Sequence, residues 1–168
     1  MDDAAGDNNA VGIDYKQLTQ DVTSGDTLLL DDGRIEMQVV EVSGSKIHCS
    51  VTNDGILSNN KGINRKGGGL SAEALTEKDK RDLIYALDKN VDYVAISYPR
   101  SVADIHAARA LLKGKGNDTG LIAKIERVEA VDNCDEIIAA SDGIMVARGD
   151  LGVEIGEIHV PVVQKHLI

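Results

Sequence analysis

The sequence predicts an α/β chain, β-rich up to about residue 70 and built of successive strand-helix units from there on. Three observations lead to that reading. Up to Val51, apolar residues alternate with polar ones at the strand period, and turn-forming clusters interrupt them. After Ser71, apolar runs of strand length are separated by stretches whose apolar residues recur every three or four positions, the helical spacing. Short connections between these later units predict a parallel sheet with right-handed crossovers.

Thr27-Leu28-Leu29-Leu30 runs into Asp31-Asp32-Gly33, a turn of hairpin type, and Ile35, Met37 and Val39 carry the alternation onward. The alternation slips at Val39-Val40, which predicts a bulge. A second turn at Ser43-Gly44-Ser45 leads to Ile47, Cys49 and Val51, with His48 facing away from the apolar side. Lys66-Gly67-Gly68-Gly69 reads as a flexible exit. It lacks the GxxxxGK[ST] order of a phosphate-binding loop.

Thr76 is placed to cap a helix that buries Leu83 and Leu87, and residues 92–97 read as a buried strand closed by Pro99. Ser101, with Asp104 three positions on, predicts a capping box for a helix burying Ile105, Ala108 and Leu112. The second strand is Leu121 to Glu126, followed by a helix carrying Val131 and Ile138. The third strand runs from Gly143 to Ala147, and a last helix from Val160 to Leu167. A closed barrel of such units needs about eight of them. Three therefore predict an excerpt of a longer fold.

Composition excludes several classes. With 18 Lys+Arg against 28 Asp+Glu the net charge is −10, which argues against a surface for nucleic acid or anionic lipid. The chain holds 4 Tyr and no Phe or Trp, so its core must be aliphatic and offers no stacking platform for bases. Cys49 and Cys134 form no CxxC pair, which predicts a reducing, cytoplasmic setting and two inert thiols. No apolar run approaches the roughly 18 residues of a membrane span, and the acidic start is unlike a signal peptide. His48, His106, His159 and His166 show no metal-ligand spacing and read as surface residues.

The second strand carries the chemistry. Ile122, Lys124 and Glu126 share one face, where a covered parallel strand should be apolar, so the two charges must pair or bind something. The next strand ends in Ala147-Arg148-Gly149-Asp150, bringing a second carboxylate to the same rim. Two hard oxygen donors suit Mg²⁺, and Lys124 could neutralise charge on a transferring phosphoryl group. An internal ion pair is the alternative reading of Lys124 and Glu126.

At Met145-Val146-Ala147-Arg148-Gly149-Asp150-Leu151-Gly152-Val153-Glu154-Ile155-Gly156 the sequence closely resembles the pyruvate kinase family. Ile122-Ala123-Lys124-Ile125-Glu126 resembles that family's catalytic strand. Ser58-Asn59-Asn60-Lys61-Gly62-Ile63-Asn64 resembles the segment returning from its lid to its barrel, and Leu75-Thr76-Glu77-Lys78-Asp79 and Leu30-Asp31-Asp32-Gly33 match as well. The resemblance runs from about Val11 to Ile168. It implies a partial TIM (β/α)8 barrel with a small inserted β-barrel-like lid: residues 1–70 as the lid, incomplete at its start, and residues 71–168 as barrel, truncated at both ends. The implied reaction transfers the phosphoryl group of phosphoenolpyruvate to ADP, giving ATP and pyruvate, in the last step of glycolysis.

By motif, Lys124 is implied to be catalytic and Glu126 and Asp150 the ligands of Mg²⁺, with Mn²⁺ as a substitute. Lys124, Ala147, Arg148, Gly149 and Asp150 are implied to bind phosphoenolpyruvate and pyruvate, and Lys61 and Asp32 to lie on the ADP and ATP side. K⁺ is expected in the whole protein, from ligands not in this chain, as are a homotetramer, a cytoplasmic location and no nucleic-acid or membrane partner. Tyr98 departs from the Phe of many members and is expected to alter little. The chain by itself is expected to be inactive. Other readings are a non-catalytic nucleotide-binding fragment and an Mg²⁺-dependent enolate-forming barrel aldolase, which would lack the lid segment.

Overall fold

The structure is a computed structural model that describes residues 6–113 and 118–168, so the first five residues of the predicted lid lie outside the described residues. Its β-rich part holds α1 (Leu18–Asp21), β1 (Thr27–Leu30), β2 (Ile35–Ser43), β3 (Lys46–Asn53) and β4 (Ile63–Arg65). These strands form an antiparallel sheet in the order β3-β2-β1-β4. β1 lies inside the sheet, and Leu28, Leu29 and Leu30 are all buried, which explains an unbroken leucine run where alternation would otherwise be expected. Asp31, Asp32 and Gly33 all take left-handed φ, the turn conformation that Asp and Gly accept most readily. The register shift between Val39 and Glu41 is the expected bulge, and His48 faces solvent.

The second part runs α2 (Glu77–Leu87), β5 (Tyr93–Ile96), α3 (Val102–Lys113), β6 (Gly120–Ile125), α4 (Val128–Asp132), α5 (Cys134–Ala140), β7 (Gly143–Val146), α6 (Arg148–Ile155) and α7 (Val160–Leu167). β5, β6 and β7 pair in parallel with β6 in the centre; among the described residues they form an open three-stranded sheet, not a closed barrel. Thr76 and Asp79 make a full capping box at α2. At α3 the backbone N–H of Ser101 donates to Asp104 at 3.2 Å, the return half of the expected box. Ile105, Ala108, Leu121, Ala123, Ile125 and Ile137 are sealed from solvent in one aliphatic cluster. Each fully buried Leu or Ile there contributes about 1.5–3 kcal/mol.

Three expectations need correction. The strand at 92–97 is not buried: β5 stands at the sheet edge, with Tyr93 65% exposed and Ile96 alone buried. The helix expected to carry Val131 and Ile138 is two helices divided at Asn133; Val131 packs against the aliphatic cluster as expected, but Ile138 is exposed and the buried positions are Ala130, Cys134 and Ile137, a stripe one residue earlier along the chain. Nor is the glycine run a free tether. Gly67, Gly68 and Gly69 all have positive φ and are held in place, Gly67 N–H donating to Glu154 O and Gly69 N–H to Glu129 Oε1 at 2.7 Å.

Those bonds belong to a polar seam between the two sheets. Arg127, 3% exposed, donates to Leu70 O at 2.7 Å and faces Glu129. Glu154, also buried, accepts from Asn64 of β4 at 3.3 Å and from the Val128 backbone at 3.0 Å. Asp21 accepts from Tyr15 and from Ser71 N–H. Burial raises the Glu154 pKa above the ordinary glutamate range, against the lowering effect of Val128 N–H.

Two predictions follow from the seam. A Cβ at Gly67 enters open space, whereas one at Gly69 would lie 2.4 Å from Arg65 Nη1, whose Nη2 pairs with Asp26 at 2.9 Å. Gly67→Ala should therefore cost only the left-handed strain, about 1–2 kcal/mol, and Gly69→Ala about 1–3 kcal/mol more. Urea unfolding of both variants checks this; equal costs would show that Arg65 moves aside freely. For Glu154 the folded pKa lies above the unfolded one, so its favourable contribution is present at low pH and is lost as pH rises above 4.5. The stability of Glu154→Gln relative to the parent chain should accordingly climb with pH across that window; a flat difference would refute the raised pKa.

Candidate functional site

β6 delivers its charged face as its parity requires. Leu121, Ala123 and Ile125 point into the helix-covered core, while Ile122 and Lys124 face the other side and Glu126 follows at the strand end. Glu126 is 1% exposed, an unfavourable place for a carboxylate without compensation. Lys124 Nζ lies 2.5 Å from Glu126 Oε1 and donates to Ser97 Oγ at 3.0 Å. The internal pair anticipated from sequence is thus present. Yet Glu126 Oε1 has that ion contact and no hydrogen bond of good geometry, so the carboxylate is charge-balanced but incompletely coordinated.

The other oxygen of Glu126 is held by a residue that sequence reasoning undervalued. Tyr98 adopts φ 56, a left-handed conformation that an aromatic residue rarely takes, immediately before the buried Pro99. This turn directs its backbone N–H to Glu126 Oε2 at 2.7 Å, and its hydroxyl donates to Asp150 Oδ1 at 2.9 Å. One residue therefore links the carboxylates at the ends of β6 and β7, and the expectation that Tyr98 alters little is corrected. Burial, and then the bond to Asp150, push the Tyr98 phenol well above its ordinary range, so it stays a protonated donor at neutral pH.

Asp150 lies in the first turn of α6, which opens at Arg148, with Ala147 as its N-cap. The first intrahelical bond runs from Leu151 N–H to Ala147 O at 2.9 Å, so the Arg148, Gly149 and Asp150 amides precede it. Arg148 and Gly149 are exposed and line a cleft of about 570 Å³ shared with Val160, Gln164 and Lys165 of α7. The two expected nucleotide-side residues lie in the β-rich part. Lys61 does not meet Asp32, which is exposed; it pairs with the buried Asp31 at 2.7 Å and holds that carboxyl below its ordinary pKa.

The arrangement joins Ser97, Tyr98, Lys124, Glu126 and Asp150 at the C-terminal ends of three parallel strands, where such sheets place ligands. Two carboxylates, one with an under-coordinated buried oxygen, fit a hard divalent cation, and the ammonium beside them fits an anionic group on it. Ser97 and the linking role of Tyr98 were missed; a proline favours extended backbone in the residue before it, so Ile96-Ser97-Tyr98-Pro99 carries no local signal for the left-handed Tyr98. Glu154 and Arg127 were missed because their partners are distant in sequence. His48, His106 and His159 are exposed as expected. His166 is also exposed but lies against Cys134 and Asp135, which corrects the reading of that thiol as isolated from any base.

Comparison with known proteins places this geometry in context. The family model described as pyruvate kinase, barrel domain, matches residues 1–168. The chain is 57% identical over 171 residues to the pyruvate kinase of Buchnera aphidicola subsp. Acyrthosiphon pisum, covering 100% of this chain and 36% of that protein. It is 56% identical over 166 residues to the pyruvate kinase of Haemophilus influenzae and 57% identical over 166 residues to pyruvate kinase II of Salmonella typhimurium, each covering 97% of this chain and 35% of the relative. The chain thus spans about a third of the length of the curated relatives it matches. A family match over the full sequence, with relatives above half identity, leaves one conclusion: the chain belongs to the pyruvate kinase family.

Proposed function

We propose that the chain carries the phosphoryl-handling part of a pyruvate kinase, which moves the phosphoryl group of phosphoenolpyruvate to ADP and releases an enolpyruvate that ketonises to pyruvate. The observation supporting this reading is the connected group of Lys124, Glu126, Tyr98 and Asp150 at the ends of adjacent parallel strands. In this reading residues 71–168 are the middle of a (β/α)8 barrel in a longer chain, and residues 1–70 are most of a lid that closes over the nucleotide. Separate sheets, separate apolar clusters and a polar seam support that division.

Glu126 and Asp150 are the residues that would hold Mg²⁺ or Mn²⁺, which when bound neutralises charge on phosphoryl and enolate oxygens. Lys124 is the movable charge of the site: released from Glu126, its ammonium donates to the transferring phosphoryl group and then to the enolate oxygen. Ser97 keeps the lysine aimed along the strand-end face. The Arg148, Gly149 and Asp150 amides, after Ala147, receive the substrate carboxylate at the opening of α6, where a helix favours an anion. Lys61 and Asp32 face the nucleotide phosphates from the lid, and Lys61 must leave Asp31 to do so. A cytoplasmic homotetramer that uses K⁺ is the corresponding expectation for the whole protein. No described helix is long and apolar enough to cross a membrane.

In the full-length enzyme, Lys124→Met should lower kcat about 10²–10³-fold with little change in KM for ADP; an unchanged kcat would overturn the assignment. The 168-residue chain alone should form no pyruvate from phosphoenolpyruvate and ADP in a coupled assay, and measurable turnover would refute that expectation. Stabilisation by ADP, without turnover by the full-length protein, would favour the nucleotide-binding reading. Because the Tyr98 hydroxyl occupies Asp150 Oδ1, Tyr98→Phe should tighten Mn²⁺ binding roughly two- to tenfold, the equivalent of one hydrogen bond. Direct Mn²⁺ titration reads this, and unchanged affinity would remove Asp150 from the ligand set.

A further inference from the structure

Outside the strand-end site, the side chains of Cys134, Asp135 and His166 bring a sulfur, a carboxylate oxygen and an imidazole nitrogen within 4.8 Å of one another. Core packing produces this meeting. Cys134 and Leu167 belong to the same aliphatic cluster, which fixes the first turn of α5 beside the last turn of α7. Cys134 is 5% exposed, whereas Asp135 and His166 face solvent, so the thiol forms a floor and the other two groups a rim open to water. The Cys134 thiol already points at Asp135 Oδ1, at 3.8 Å. Ligand atoms of a tetrahedral Zn²⁺ site, with sulfur about 2.3 Å and oxygen about 2.0–2.2 Å from the metal, stand about 3.5 Å apart. The sulfur-to-oxygen distance of 3.8 Å is close to that value, and no two of the three ligand atoms are more than 4.8 Å apart, so side-chain rotation brings His166 into range.

We propose that Cys134, Asp135 and His166 form a binding site for one divalent transition metal of the Zn²⁺ class, with water as the fourth ligand. The mixed sulfur, nitrogen and oxygen donor set selects against Mg²⁺ and Ca²⁺, which take oxygen alone, and so separates this site chemically from the carboxylates at the strand ends. A further feature favours a cation. Asp132 and Glu136 flank the Cys134-Asp135 pair in sequence and add negative potential. Binding involves no redox step: the thiol proton passes to solvent, the thiolate ligates the metal, and Asp135 changes from hydrogen-bond acceptor to ligand. The bound metal ties α5 to α7, the helices that follow β6 and β7, and so stabilises the fold by mass action.

The test is a Zn²⁺ titration by calorimetry on the reduced protein, paired with a Co²⁺ titration followed by absorbance. With excess Mg²⁺ present to occupy the strand-end carboxylates, one saturable site is expected, with a sulfur-to-cobalt charge-transfer band that Cys134→Ser abolishes. His166→Gln and Asp135→Asn, both at exposed positions, should each weaken Zn²⁺ binding about tenfold or more, while His48→Gln leaves it unchanged. Absence of saturable binding, or full-strength binding in both exposed variants, overturns the proposal. Should Cys134→Ser fail to fold by circular dichroism, the two exposed variants decide the outcome alone.

Discussion

A carboxylate with 1% of its surface exposed, at the end of the central parallel strand, constrains everything around it. A buried carboxylate is costly unless positive charge and N–H donors surround it. Lys124, two residues back on the same face, supplies the charge, and Tyr98 supplies a donor by adopting a backbone conformation that costs about 1–2 kcal/mol on its own. The buried Pro99 follows it and packs into the core. The strain at Tyr98 is thus offset by a charge-assisted hydrogen bond, the kind of exchange that concentrates at functional sites. The geometry of the proposed site and local stability depend here on the same few atoms.

The seam between the two sheets follows a different rule. Its hydrogen bonds are backbone amides and carbonyls meeting Glu129, Glu154, Arg127 and Asp21. Such contacts can be exchanged for water at modest cost, whereas an apolar interface would have to expose its core. A seam of this kind is compatible with the lid motion proposed above. The positive φ values of Gly67, Gly68 and Gly69 place the backbone close enough to the acidic groups for those bonds to form.

Much of this was legible in the sequence, for reasons that can be named. The Thr76-Asp79 box, the Asp31-Asp32-Gly33 turn and the Val39-Val40 slip are local devices whose partners lie within a few residues, and each is where it was expected. The parity of Lys124 and Glu126 was readable because a charge on a covered strand violates the expected pattern. What stayed hidden depended on tertiary neighbours. A strand's exposure depends on what flanks it, so Tyr93 and Ala95 read as core and lie at an edge. Adjacent isoleucines at 137 and 138 offer two possible helical stripes, and only the packing decides that Ile137 is buried and Ile138 exposed. His166 and Cys134 meet only because α5 and α7 share a core, which no spacing along the chain records.

The absence of Phe and Trp, first read as a statement about the core, also determines how the molecule interacts with light. All of its near-ultraviolet absorption and emission from aromatic side chains comes from Tyr15, Tyr85, Tyr93 and Tyr98. Tyr85 and Tyr93 are each 65% exposed and sample solvent. The other two donate hydrogen bonds to aspartates, Tyr15 to Asp21 at the seam and Tyr98 to Asp150 between the strand ends. The chain therefore carries one built-in optical probe on the seam between its two sheets and one at the strand ends, with no tryptophan to mask either.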